Sequence, residues 1–299
     1  MTSRLRALLE LTRPANVVTA FADVLAGIAA AGAADALFRG DQAIGASAAS
    51  LLVATAGLYA GGVVLNDVFD ARLDAVERPE RPIPSGRVTR TEAAVFGAGL
   101  LAAGVAAAGV AGRASLLVAA LIAACALLYD RFGKHHAVFG PINMGACRGG
   151  NLLLGASVAP PLLLDLWFIA LIPVAYIGAV TAISRGEVHG GSRSAAVFAV
   201  VLITGVAGAL VLLGVRLDYR MLRSLPFLAA FVALVYPPFV RATLHPSPER
   251  VRTAVKAGVL ALVAMDATLA AGFGGWTAGL VVLGLLPVSI GIARLFAVT

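Results

Sequence analysis

Residues 44–74 read IGASAASLLVATAGLYAGGVVLNDVFDARLD, an uncharged run of Ala, Leu, Val and Gly that ends abruptly in one amide and three carboxylates. About 20 consecutive apolar residues, rising 1.5 Å each, cross roughly 30 Å of hydrocarbon. The first part of this stretch therefore predicts a membrane-spanning helix, and the second part a polar helix end at the bilayer edge. Runs of the same kind recur at 16–35, 91–111, 113–129, 138–158, 165–184, 194–215, 222–241, 252–273 and 276–297. With 44–68 they predict an all-α polytopic bundle of nine or ten transmembrane helices, read as one domain over 1–299. A closed β-barrel is excluded because its strands would alternate in polarity over about ten residues.

Composition supports this reading. Of the 299 residues, 60% are hydrophobic and 13% charged, against roughly 25% charged in soluble domains. The net charge of +7 does not mark a nucleic-acid surface, because Lys and Arg fall between the apolar runs and form no block of their own. They concentrate at the N-terminus (Arg4, Arg6, Arg13) and in the loops after spans 2, 4, 6 and 8. The positive-inside rule then makes those segments, with the N-terminus, cytoplasmic. Trp167 and Trp276 mark the opposite interface, and Gly274-Gly275 predicts a tight turn between the last two spans.

Chemistry concentrates where the second span ends. In Asn66-Asp67-Val68-Phe69-Asp70-Ala71-Arg72-Leu73-Asp74, Asn66, Asp70 and Asp74 recur every four residues and share nearly one helical face, drifting about 40° per step. Clustered carboxylates at a bilayer edge repel one another. A hard divalent cation relieves that cost, and magnesium characteristically joins one or two carboxylates to substrate phosphate oxygens. The chain continues Glu77-Arg78-Pro79-Glu80-Arg81-Pro82-Ile83-Pro84-Ser85-Gly86-Arg87. Its three prolines limit the loop's freedom, so Arg78, Arg81 and Arg87 are presented at low ordering cost, and guanidinium groups suit phosphate oxygens.

The stretch NDVFDARLDAVERPERPIPSGRVTR resembles the first signature of the UbiA superfamily of intramembrane prenyltransferases, an Asn-Asp-x-x-Asp-x-x-x-Asp helix end followed by an Arg-Pro-x-x-Pro-Ser-Gly loop. Three further features agree: Arg13-Pro14-x-Asn16 entering span 1, Tyr129 followed by Lys134 after span 4, and a polar loop after span 6. The resemblance implies helices around a lipid-facing cavity, Mg2+ bridging aspartates to a prenyl diphosphate, and prenyl transfer to an aromatic or other lipophilic acceptor. It assigns metal binding to Asn66, Asp70 and Asp74 with help from Asp67. Asp70, Asp74 and Lys134 become the catalytic groups, Lys134 and Arg81 bind diphosphate, and Asn16 and Tyr129 are substrate-binding positions.

The loop after span 6 departs from the family pattern. It reads Ser184-Arg185-Gly186-Glu187-Val188-His189-Gly190-Gly191-Ser192-Arg193, with Ser184 and Gly191 where a second Asp-rich motif would place aspartates and Glu187 as its acid. Arg185 or Arg193 could instead supply positive charge directly to the diphosphate. Polar residues inside the spans complete the candidates. Asn16, Thr19 and Asp23 share a face of span 1, and Asn143, Cys147, Arg148 and Asn151 share one of span 5. An Arg in hydrocarbon needs a partner or a watery cavity. Either Arg148 and Asp23 neutralise each other, or both line the cavity and Arg148 meets a diphosphate or an acidic acceptor. The rival to a transferase is a non-catalytic isoprenoid or lipid binder, or a carrier of a hydrophobic metabolite, on the same scaffold. Mere binding of apolar lipid, however, needs no carboxylate array.

Overall fold

The computed structural model describes residues 3–133, 136, 138–184, 191–216 and 218–296, and all regular structure among them is helical. A short helix α1 (Ser3–Thr12) precedes α2 (Pro14–Ala30) and a single-turn α3 (Ala34–Phe38). Helices α4 (Gln42–Glu77), α5 (Arg90–Ala111), α6 (Arg113–Leu128) and α7 (Phe139–Ala156) follow. After the four-residue α8 (Leu163–Leu166) come α9 (Leu171–Ser184), α10 (Arg193–Leu212), α11 (Met221–Leu244), α12 (Pro248–Leu283) and α13 (Leu285–Ala293).

Seven stretches of the described residues are long and apolar enough to cross a membrane. Two more expected spans exist as helices but miss that standard for physical reasons: α2 has only 17 residues, and α7 carries Asn143, Arg148 and Asn151. The stretch Pro248–Ala293 holds 46 residues, too many for one crossing. It breaks at Gly275, whose φ of 84° and ψ of −176° leave the helical region, a conformation open chiefly to glycine. The Ser289 hydroxyl beyond the break donates to the Ala15 carbonyl at 2.9 Å. The chain has therefore turned back toward the end of the bundle where α2 begins, as the Gly-Gly pair predicts.

Helix α4 is the frame of the site. The Asp41 carboxylate caps it by accepting from the Ala43 and Ile44 amides, each at 3.0 Å. Its 36 residues amount to about 54 Å, well beyond the hydrocarbon thickness. The helix thus runs past the expected boundary at 68 and carries all of Asn66, Asp67, Asp70 and Asp74 on continuous helical backbone. It stops at Arg78, the residue before Pro79, where a following proline disfavours helical geometry. Residues 78–88 then fold back on it. Ser85 donates to the Arg81 carbonyl at 2.7 Å, Arg87 to the Glu80 carbonyl at 2.9 Å, and Arg90 Nε to the Val68 carbonyl at 3.0 Å. A Thr89/Glu92 capping box opens α5.

Helix α2 crosses α7 at backbone contact. A Cβ added at Gly27 would lie 2.0 Å from the Leu152 carbonyl oxygen, and one at Gly155 2.0 Å from that of Val24. Small residues at membrane helix crossings permit this approach, and here it brings Asp23 within reach of Arg148.

Candidate active site

A cavity of about 470 Å³ opens between α2, α4, α6, α7, α9 and α12. Its wall carries the aliphatic side chains of Leu58, Val63, Ile122, Ile177, Val259 and Leu262 beside the polar Thr55 and Asn151, and toward its mouth stand Arg13, Asn16, Asn66, Arg78, Arg81, Tyr129 and Asp130. Arg148 adds a fourth guanidinium to the lining. An apolar pocket with convergent cations at one end fits a molecule with a hydrocarbon body and an anionic head.

Two residues reach the mouth through backbone devices. Arg13 caps α2 with φ of 47°, a left-handed conformation rare for a non-glycine residue, and its guanidinium donates to Asp67 Oδ1 at 2.8 Å. Tyr129 and Asp130 lie on a π-helical turn, Tyr129–Gly133, that continues α6; such turns recur at functional sites. The folded-back loop delivers Arg81, whose Nη1 donates to Asp67 Oδ1 at 3.3 Å and to both Asp74 oxygens at 3.0 and 2.8 Å.

The Asp array therefore divides. Asn66 faces the cavity and donates from Nδ2 to Asp130 Oδ1 at 2.8 Å. Asp67 and Asp74 are buried and hold guanidinium groups. Asp70 is half-buried, one turn beyond Asn66. Among the described residues no three His, Cys, Asp or Glu side chains converge into a ready metal cage. The donors still fit magnesium, which takes one or two carboxylates and completes its shell with water and substrate phosphate.

Asn16, Arg81, Tyr129 and Arg148 all line the cavity, as expected of substrate-binding positions. Lys134, Arg185 and Glu187 lie outside the described residues. Arg148 is both a cavity residue and an ion-pair partner: Nη1 donates to Asp23 Oδ2 at 2.6 Å, and its guanidinium stands 5.2 Å from the Tyr59 ring centre. The ion pair expected of Arg148 and Asp23 is present, and Arg148 also lines the cavity, whereas Asp23 does not. Asn151 steadies the arrangement by donating to Asp23 Oδ2 at 2.9 Å, and Thr55 donates to Asn151 Oδ1 at 2.6 Å. Sequence reasoning missed two acids. Asp130 adjoins the noted Tyr129. Asp266 interrupts the apolar run of α12, is fully buried and packs beside Asp23; a carboxyl within a span is itself a signal.

The molecule is thus a helical membrane scaffold around a cavity lined by guanidinium groups and aliphatic side chains. The chain belongs to the UbiA prenyltransferase family, whose pattern matches residues 20–236. It is 38% identical over 154 residues, 52% of this chain and 54% of the relative, to digeranylgeranylglyceryl phosphate synthase of Methanopyrus kandleri. The chain spans about half the length of the curated relatives it matches. Solved structures share the fold. One of digeranylgeranylglyceryl phosphate synthase superposes with a TM-score of 0.66 at 20% identity, over 91% of this chain and 99% of that one. A UbiA homologue from Archaeoglobus fulgidus, bound to GPP and Mg2+, gives 0.53 at 13% identity, over 93% and 99%.

Proposed function

We propose that this protein transfers a prenyl group from an allylic prenyl diphosphate to a lipophilic acceptor within the membrane, in a magnesium-dependent reaction. The observation that carries the reading is the cavity itself: four guanidinium groups line it together with Asn66 and Asp130, over a deep wall of aliphatic side chains. Similarity to digeranylgeranylglyceryl phosphate synthases favours a geranylgeranyl-sized donor and a prenylated glyceryl phosphate acceptor over an aromatic one.

Magnesium would be held by Asn66, Asp70 and Asp74, with Asp67 assisting, and when bound would stabilise the charge that builds on the departing diphosphate. The chain's own groups do the rest. Arg13, Arg78 and Arg81 at the mouth, with Lys134 and Arg185, bind the diphosphate oxygens and stabilise them further as the C–O bond breaks. Asn16 and Tyr129 orient the allylic end. Glu187 acts on the head group from the loop after α9. Leu58, Ile122, Val259 and Leu262 exclude water from the allylic cation until the acceptor attacks. Arg148, deeper than the mouth, holds the cavity wall in place and presents one positive charge to an anionic acceptor. Family resemblance and the clustering of Lys and Arg favour a cytoplasmic mouth.

The test follows diphosphate release from an allylic prenyl diphosphate and from its saturated analogue, with magnesium and a panel of glyceryl phosphate and aromatic acceptors. Release from the allylic compound alone, lowered by on the order of 10²-fold or more in Asp70→Asn while binding weakens far less, is the expected outcome. Equal binding of both compounds with release from neither would replace the transferase with a lipid-binding protein.

A further inference from the structure

Asp23 of α2 and Asp266 of α12 pack side by side inside the bundle, and both are 0% exposed. Their oxygens are unequally provided for. Asp23 Oδ2 accepts from Arg148 at 2.6 Å and from Asn151 at 2.9 Å. Asp23 Oδ1 and both oxygens of Asp266 are buried without a hydrogen-bond donor among the described residues. An ionised carboxylate only accepts, so two of them facing each other cannot satisfy one another. Each orphaned acceptor in so dry a place costs the desolvation of a polar group.

Charge is out of balance in the same way. Asp23 is the ion-pair partner of Arg148, which leaves Asp266 with no cation of its own among the described residues. The groups that bear on Asp266 are Asp23, Arg148 and Tyr176 of α9, and the Tyr176 hydroxyl already donates to the Gly258 carbonyl at 2.7 Å. The other helices packed on α12 bring nothing that would neutralise it. Helix α13 has no titratable side chain, and Asp35 of α3 is exposed. On α11, Arg223 stands beside Gly275, Tyr236 donates to Thr204, and Arg241 is exposed. Adjoining carboxyls in a buried site do not both ionise.

We infer that Asp266 keeps a proton at neutral pH and donates it in a hydrogen bond to Asp23 Oδ1, which makes it a positioning residue for Arg148. One proton resolves both deficits. Asp266 becomes a donor, Asp23 Oδ1 gains a partner, and two carboxyls with one guanidinium sum to no net charge. Asp23, held at Oδ1, keeps Oδ2 toward Arg148 and Asn151. Because Arg148 lines the cavity, an ionised Asp266 would set a second negative charge behind the guanidinium and weaken its attraction for an anion there. The proton belongs to the fold and depends on neither magnesium nor prenyl transfer.

The test compares the full chain in detergent with Asp266→Asn, whose amide N–H replaces the O–H as donor to Asp23 and does not titrate. A carboxyl that stays protonated in the fold and ionises in the unfolded chain stabilises fully in acid, and its contribution falls as pH rises. From pH about 5 to about 9 the unaltered protein should therefore lose about 4 °C or more of melting temperature relative to Asp266→Asn. Infrared difference spectra near neutral pH should show the carbonyl band of one protonated carboxyl in the unaltered protein and not in the variant. Loss of an ionised-carboxylate band instead, or melting temperatures that follow pH in parallel, overturns the inference and leaves the transferase reading standing. Should the variant not fold, Asp266→Glu retains the acid, and the protonated-carboxyl band should move in frequency; an unchanged band, or none, overturns the inference.

Discussion

At the mouth of the cavity Asp67 accepts from both Arg13 and Arg81, and Arg81 in turn holds Asp74. In the interior, Arg148 donates to Asp23 and to the Thr19 hydroxyl, and Asp23 is its one ion-pair partner among the described residues. The same ion-pair chemistry thus stands in two settings. The mouth pairs are partly shared and partly exposed, with Arg81 at 15%: Asp67 keeps Arg13 if Arg81 turns away, whereas Asp74 is held by Arg81. The interior pair is 8% and 0% exposed, with Asp266 buried beside it. Charge at the mouth is distributed over several partners, whereas charge in the interior is held in one buried pair whose arginine also lines the cavity.

The largest effect expected from this contrast is on stability. Arg148→Met removes the cation and leaves Asp23 and Asp266 buried without it, and breaking a buried pair costs about 3–5 kcal/mol. Unfolding of the purified variant in detergent should show a loss of that size. A loss below about 1 kcal/mol would mean that water already reaches Asp23, and the distinction between the two layers would collapse. Arg81→Gln should behave the other way round. Asp67 keeps Arg13 and the Gln amide can still donate to Asp74, so stability should fall by no more than about 1.5 kcal/mol. Affinity for prenyl diphosphate should fall more, by about 1.5–3 kcal/mol, the scale of a hydrogen bond to a charged group. Calorimetric binding beside thermal unfolding reads both quantities, and a larger stability loss than affinity loss would make Arg81 an internal clamp.

The first layer was largely legible in the sequence and the second only in part, for a physical reason. Asn66, Asp67, Asp70, Asp74 and Arg81 lie within 16 residues on one helix end and its return loop, so local periodicity and loop chemistry bring them together. The division of labour among them was not legible, because it depends on where the loop folds back: Asp74, expected to bind metal, also holds Arg81. Asn66 and Asp130 are 64 residues apart, and no local pattern links them. Asp23 and Arg148 were recognisable as a pair because two opposite charges within apolar spans have few other ways to be neutralised. That argument also applied to Asp266, where it was not used. The span count followed from hydropathy, but the course of the last 46 residues turned on a single glycine.

The smallest effect belongs to the far end of the bundle, which sets the baseline for both layers. There Arg216 holds Asp218 through two parallel bonds, Nε to Oδ1 at 2.8 Å and Nη2 to Oδ2 at 2.9 Å. The Arg216 side chain lies over Phe168, its guanidinium carbon 5.3 Å from the ring centre. The guanidinium holds the Asp218 carboxyl below its ordinary value of 3.8. A carboxyl with a lowered folded-state pKa contributes stability that is fully present above the unfolded value and disappears as pH falls through the folded one. The pair should therefore add a constant increment near neutral pH and lose it only in acid below about 4. Both side chains are more than a third exposed, so solvent screening limits that increment to about 0.2–1 kcal/mol. Asp218→Asn should lower stability by no more than this at pH 7, with the difference from the unaltered protein vanishing in strong acid and shrinking in high salt. A loss near that of Arg148→Met would show that burial does not set the worth of an ion pair in this bundle. A null effect at all pH values would confine electrostatic stabilisation to the two layers that surround the cavity.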